Sequence, residues 1–306
     1  MDSVVVTGAS GLLGAYVSVA LSRRRAPFVG WSGTKEVPWA HRVELTDEDA
    51  VARAFDEAAP SVVVHCAAMS AASDCARDPD RARAVNVDAT ARLARRCDAA
   101  GARLVLVSTD LVFDGEHAPY DEDAARSPLS VYGRTKADAE DAALAAGDAC
   151  VVRVSLLFGA TVGPRLGFFD QQTRAIERGD AMTLFDDEWR TPLSLASAAE
   201  GLLLVAASDA RGVLHLAGPE RMTRLAMGQR LAATLGRDAS TLRAASRTSA
   251  AGEPRARDVS LSTRKFCEAF PSWRTGTYEA EIKRAAQIAR SAATTFGSGA
   301  APPPLV

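Results

Sequence analysis

The chain has 306 residues, 47% hydrophobic and 24% charged, enough to bury a full core in one large or two modest domains. A formal net charge of −2 leaves no basic footprint, so neither nucleic acid nor an anionic membrane is expected as a partner. The N-terminus lacks a basic segment followed by a long apolar one, and no run approaches the ~20 apolar residues of a transmembrane helix, which predicts a soluble protein.

Val4-Val5-Val6 reads as a short buried strand that runs into Thr7-Gly8-Ala9-Ser10-Gly11-Leu12-Leu13-Gly14, with glycines three apart. An amphipathic helix follows from Leu12 to Leu21, closed by Arg23-Arg24-Arg25 and Pro27. A Gly-rich turn between strand and helix lets backbone N–H groups approach a pyrophosphate, and the helix N-terminus adds partial positive charge. A dinucleotide is the expected ligand, with Gly8, Ser10, Gly11, Leu12 and Gly14 around it. The second strand ends Val29-Gly30-Trp31-Ser32-Gly33-Thr34-Lys35, without a carboxylate until Glu36. NAD sites place an acidic residue there for the ribose 2′-hydroxyl, whereas Ser32, Thr34 and Lys35 suit a 2′-phosphate. NADPH is therefore the expected cofactor, with NADH the alternative.

Strands are predicted at 3–6, 28–31, 42–45, 61–66, 103–108 and 149–154, and helices near 11–25, 47–58, 80–100 and 130–146. The second helix starts at a Thr46 N-cap and stops at Pro60. This alternation specifies an α/β fold, a doubly wound parallel sheet of Rossmann type with helices on both faces. His65-Cys66-Ala67-Ala68 ends the fourth strand, with His65 expected to pack rather than to catalyse. Five cysteines (66, 75, 97, 150, 267), odd in number and without zinc spacing, fit a reducing cytoplasm, and the scattered histidines suggest no metal site.

Ser108-Thr109-Asp110 closes the fifth strand, and Tyr132-Gly133-Arg134-Thr135-Lys136 opens the fourth helix. Residues four apart share a helix face, so Tyr132 and Lys136 point into one site, where an ammonium favours phenolate. With a hydroxyl at Thr109, these are the parts needed to protonate a carbonyl oxygen. Beyond about residue 160 the alternation fails. Gly163-Pro164, Gly167 and Asp186-Asp187-Glu188 read as cleft-forming loops around one helix at 168–178. The composition marks a smaller second domain (159–191 and 219–290), a first domain over 1–158 with a return segment at 192–218, and a disordered tail over 291–306.

These motifs resemble the extended short-chain dehydrogenase/reductases, and within them the dTDP-4-dehydrorhamnose reductase group. The carriers are Thr7 to Gly14, Ser108 to Gly115, Ser127-Pro128-Leu129 with Tyr132 to Lys136, Arg153 to Gly159, Arg190-Thr191-Pro192 and His215 to Pro219. The resemblance implies reduction of a nucleoside-diphosphate 4-keto-6-deoxy sugar, with Tyr132 as proton donor, Thr109 orienting the carbonyl oxygen and Lys136 also holding the nicotinamide ribose. It implies an adenine contact at Glu44-Leu45, close backbone passage at Ala67 and Ala68, and a substrate-binding C-terminal domain. Ser70, Val112 and Arg190 are implied around the sugar, and Arg165, Arg190 or Arg257 at its pyrophosphate; Cys75 falls in a loop that lines the family's cleft, with buried packing its expected role. Leu111 and Arg77 depart from the group's usual residues and leave the keto sugar open. The helices at 80–100 and 130–146 match those that pair subunits in relatives, so a homodimer is expected. Two other readings stay open: a sugar-nucleotide epimerase that retains NAD, and a non-enzymatic NADP-binding subunit like the methionine adenosyltransferase beta subunit.

Overall fold

The structure, a computed structural model, describes residues 3–33 and 35–296. Six strands alternate with helices through the first half: β1 (Val4–Thr7), β2 (Phe28–Ser32), β3 (Ala40–Arg42), β4 (Val62–His65), β5 (Arg103–Thr109) and β6 (Ala149–Val154). Between them lie α1 (Leu12–Arg23), α2 (Glu48–Ala58), α3 (Ala72–Arg77), α4 (Pro79–Arg83), α5 (Ala89–Ala100) and α6 (Val131–Leu144). A seventh strand, Gly212–Leu216, joins beside β6, giving the order Gly212–Leu216, β6, β5, β4, β1, β2, β3. Every pairing in this sheet is parallel.

Period-two alternation explains why the strands read as unbroken apolar runs. Val4 and Val6 face one core with α1 and the helix Leu195–Ala206, while Val5 faces the other with α2, α5 and α6. Val62, Val64 and Val105 repeat the first pattern, and Val63, Leu104 and Leu106 the second. A parallel sheet covered on both faces needs such two-sided strands. A third core, built on Phe158, Ile176, Leu184, Met227 and Leu231, belongs to a smaller lobe on the C-terminal side of the sheet. Two parallel strands, Met182–Phe185 and Leu242–Ala245, pair within this lobe.

Several expectations are corrected. The third strand lies at Ala40–Arg42, not 42–45, because ladder pairing ends there; Val43 makes one more bond to the Ser32 carbonyl and the chain turns away. Val43 and Leu45 are buried without being strand, so their apolarity reported burial rather than pairing. Asp47, not Thr46, caps α2, its carboxylate accepting from the Ala50 N–H at 2.9 Å. The helix expected over 80–100 is broken by a π-turn at Ala84–Asp88. Past residue 160, helices at Leu195–Ala206, Arg224–Thr234, Arg264–Ala269 and Tyr278–Phe296 were not anticipated. Leu195–Ala206 is buried almost all round and so carries no amphipathic signature. Phe266, Trp273 and Ile288, assigned from sequence to the second domain, pack into a core of the main sheet. The proposed tail begins inside the last helix; residues 291–296 are helical and 297–306 lie outside the described residues.

Candidate active site

One cleft of about 1070 Å³ runs along the C-terminal ends of β1, β4, β5 and β6 and is walled on the far side by the smaller lobe. That volume lies at the upper end of ordinary ligand sites and has room for a dinucleotide beside a second molecule. At its floor Gly8 adopts φ 67°, and a Cβ there would sit 2.7 Å from the Ala67 nitrogen. A Cβ on Gly14 would meet the Gly8 carbonyl oxygen at 2.2 Å. The turn is therefore closed tightly enough that only glycine fits, and it leads straight into the N-terminus of α1. Ser10, Gly11 and Leu12 line the same stretch, and Ala67, Ala68 and Ser70 line the loop after β4.

Beneath this floor a polar ladder fixes β1 to β4 and α5. The Thr90 hydroxyl donates to the Asn86 carbonyl at 2.7 Å, so it accepts from His65 Nε2–H at 3.0 Å. His65 Nδ1 then accepts from the Thr7 hydroxyl at 2.6 Å, whose oxygen accepts from the Ala67 N–H at 3.2 Å. Burial, reinforced by Lys136, pushes the His65 pKa down to about 3, which keeps it neutral in this tautomer. As expected from the sequence, His65 packs; its additional task is to hold the Gly8–Ala67 approach.

Beyond the Gly8–Gly14 turn, Gly33, Lys35, Glu44 and Leu45 line the cleft. Ser32 does not. It is 1% exposed, donates to the Lys35 carbonyl and accepts from the Ser10 hydroxyl at 2.7 Å, so it braces the loops from behind. Thr34 lies outside the described residues. The Glu44 carboxylate accepts from both the N–H and the hydroxyl of Thr46.

Tyr132, Lys136 and Glu140 follow one face of α6 at intervals of four, with Ser130 capping the helix through the Gly133 N–H. Thr109 at the end of β5 lines the cleft opposite Tyr132 and hydrogen-bonds toward its phenol. Lys136 is 2% exposed and lines the cleft, and its ammonium forms no hydrogen bond with another described residue. Burial pulls its pKa down to about 8 against the opposing pull of Glu140. Glu140, fully buried, is held by Arg153 (3.0 and 2.8 Å), Arg126 (3.2 Å) and the Ser108 hydroxyl (2.5 Å). Contrary to the expectation of a lowered phenol, burial and the Asp110 carboxylate raise the Tyr132 pKa above the usual value. The phenol is thus protonated at neutral pH, the form a proton donor requires.

The smaller lobe contributes guanidinium groups. Glu188, wholly buried, pairs with Arg190 (3.2 Å), Arg224 (3.2 Å) and Arg255 (2.6 Å). Burial would raise its carboxyl, but Arg190, Arg255 and Arg224 hold it down at about 2. Arg165, exposed on the lip, reaches the Ser70 hydroxyl at 3.4 Å. Among these groups, the cations outnumber the carboxylates, so this wall favours an anion.

The chain matches the family described as RmlD substrate binding domain over residues 1–290. It belongs to that family. Methionine adenosyltransferase 2 subunit beta of Pongo abelii is 31% identical over 282 residues, 86% of this chain and 81% of that protein. dTDP-4-dehydrorhamnose reductase of Streptomyces griseus is 34% identical over 247 residues, 78% of each chain. Among solved structures, a dTDP-4-dehydrorhamnose reductase of Clostridium acetobutylicum superposes with a TM-score of 0.84 at 23% identity, covering 94% of this chain and 99% of that one. One from Bacillus anthracis, in complex with NADP, gives 0.83 at 20% identity over the same shares. At these identities the structures establish the shared fold.

In this RmlD-family chain the cleft gathers Gly8, Ser10, Gly11, Leu12, Gly14, Lys35, Glu44, Leu45, Ala67, Ala68, Ser70, Thr109, Tyr132, Lys136 and Arg190. Three further candidates fall away from it. Val112 is fully buried in a cluster with Phe113, Tyr120 and Val259, because the 3-10 turn after Thr109 points Leu111 into the cleft and Val112 behind it. Arg257 is exposed outside the cleft, its backbone N–H packed over Gly115. Cys75 is buried and donates to the Met69 carbonyl, its pKa pushed up to about 11 by burial. Sequence reasoning missed Asp110, Glu188, Arg224 and Arg255, whose relation is purely tertiary. It also missed Asn86 in the π-turn, which accepts from the Met69 N–H at 2.8 Å and donates to the Met69 carbonyl and the Thr135 hydroxyl.

Proposed function

We propose that this chain is an NAD(P)-dependent reductase of a nucleoside-diphosphate 4-keto-6-deoxy sugar, with NADPH preferred. The reading is carried by the convergence of Thr109, Tyr132 and Lys136 on a cleft that also holds the Gly8–Gly14 turn and an arginine wall. A cradle that only glycine can form and a buried ammonium without a hydrogen-bond partner among the described residues fit a nicotinamide dinucleotide. Such a cofactor, when bound, supplies the hydride. Tyr132 donates the proton to the carbonyl oxygen, Thr109 orients that oxygen, and Lys136 offers its N–H groups to a ribose. Arg165, which is not paired with Glu188, faces the diphosphate; Arg190, Arg224 and Arg255, all paired with Glu188, supply the positive wall behind it. The relatives called dTDP-4-dehydrorhamnose reductase support the substrate class.

A second reading has its own support, since methionine adenosyltransferase 2 subunit beta matches over a larger share of the chain. On that reading the protein binds NADP and serves a partner without turnover. One experiment separates them: 4-keto sugar nucleotides are offered with NADPH and its absorbance followed. Oxidation with one of them supports the reductase; tight NADPH binding with no oxidation across the series supports the binding subunit.

A further inference from the structure

One segment of the smaller lobe touches the helix that carries Tyr132. After the strand Leu242–Ala245 the chain is pinned to Asp187, whose carboxylate accepts from the Ser246 hydroxyl and the Arg247 N–H, both at 2.6 Å. The segment ends at Arg257 and Asp258, where the Arg257 carbonyl accepts from the Trp189 N–H at 2.8 Å and the Asp258 N–H donates to the Gly115 carbonyl at 3.3 Å. Between these anchors Gly252, Glu253, Pro254 and Arg255 line the cleft. Glu253 makes the contact with α6: its Oε1 accepts from the Val131 N–H at 2.7 Å and lies 3.6 Å from Arg134 Nη2. Val131 opens α6, so its N–H is one that no helical carbonyl satisfies, and Tyr132 is the next residue. A carboxylate there is also favoured by the helix dipole. Two residues on, Arg255 donates to Glu188 at 2.6 Å. Pro254 between them fixes its own φ and disfavours a helical Glu253, so the link is stiff. Two residues of chain span at most about 7 Å, which makes it short as well.

We propose that Glu253 is a positioning residue: by latching the Glu253-Pro254-Arg255 link onto the first turn of α6, it fixes the span between Tyr132 and the arginine wall, across which a nucleoside-diphosphate sugar has to reach. The inference rests on the proposed function, in which the carbonyl meets Tyr132 while the diphosphate lies toward the wall. Glu253 Oε2 is buried and has no hydrogen-bond partner among the described residues, so the latch acts through Oε1 alone. An amide oxygen can take the place of Oε1, and Glu253→Gln therefore keeps the latch.

The latch can be broken from either side. Glu253→Ala removes the acceptor, and Val131→Pro removes the donor at a first helical position, where proline is otherwise favoured. Each should lower kcat/KM for a 4-keto sugar nucleotide about tenfold, the loss of one charge-assisted hydrogen bond, with NADPH affinity by fluorescence unchanged. The double variant should lose no more than either single one, since both cut the same bond, and Glu253→Gln should stay near the wild-type value. A wild-type kcat/KM in either single variant, losses that multiply in the double variant, or Glu253→Gln as impaired as Glu253→Ala overturns the proposal. If the wild-type chain reduces no keto sugar, the proposed function fails, and hydrogen exchange over residues 248–253, which needs no substrate, decides the latch alone. Faster exchange in both single variants than in the wild-type chain supports it, and unchanged exchange overturns it. Should one single variant fail to fold, the other and Glu253→Gln are read by the same outcomes.

Discussion

Removing the Tyr132 hydroxyl and nothing else is the smallest change that strikes the proposed chemistry. Tyr132→Phe keeps the ring on the cleft wall, so NADPH binding should persist while turnover falls by about 10²–10⁴, the usual contribution of a general acid. Stopped-flow turnover and a fluorescence titration together check this. Lys136 makes a prediction of a different kind. Its pKa is lowered from 10.5 to about 8, so between those values the unfolded chain binds a proton that the folded chain has lost. Stability from this group therefore rises with pH across that window, and below it the buried ammonium imposes a constant penalty. Lys136→Met should be more stable than the wild-type chain near about pH 7, by up to about 3 kcal/mol at roughly 1.4 kcal/mol per pKa unit, and the gap should close toward about pH 10. Urea denaturation of both chains at the two pH values measures it. The Tyr132 and Lys136 pairing was legible because four-residue spacing on a helix is a property of sequence. The sign of the phenol's shift was not, since it depends first on burial in the folded cleft and then on the Asp110 carboxylate beside it.

At the level of elements, the turn into α1 is the least tolerant segment. Gly14→Ala would drive its Cβ into the Gly8 carbonyl, a backbone atom that cannot yield, so dinucleotide affinity should fall by at least about tenfold even if the fold survives. Isothermal titration with NADPH tests this, and wild-type affinity would contradict the cradle. The glycine spacing disclosed this turn because sterics are local. The π-turn at Ala84–Asp88 stayed hidden because it needs Asn86 to satisfy both polar groups of Met69, on a loop that only the fold brings near. Asn86→Leu should leave the half-buried Met69 N–H unsatisfied, its carbonyl keeping only the Cys75 thiol, and cost about 1–3 kcal/mol, seen as a lower urea midpoint. The helix Leu195–Ala206 was missed for the opposite reason: it is buried on nearly every side and lacks a polar face to mark its period.

For the whole molecule, the doubly wound sheet was readable from alternating apolar strands and amphipathic helices. The inner elements of the smaller lobe were not, since its strands pair in twos and its cations converge only in space. Assembly through α5 and α6 is a proposal, and their exposed residues include Arg95, Asp98, Arg134 and Asp138, the last two already paired with Glu253 and Arg83 of the same chain. Light scattering at the 32.2 kDa of one chain would reject the dimer. The proposed NADPH preference rests on the lip formed by Gly33 and Lys35, and tighter binding of NADH in a paired titration would contradict it. The reductase itself is tested most directly by following the hydride. With NADPH deuterated at its transferable position and a 4-keto sugar nucleotide, the product alcohol should carry deuterium at the former carbonyl carbon, one for each NADP+ released, in the wild-type chain and not in Tyr132→Phe. Deuterium retained on a bound, unoxidised cofactor across the 4-keto sugar series would contradict a reductase.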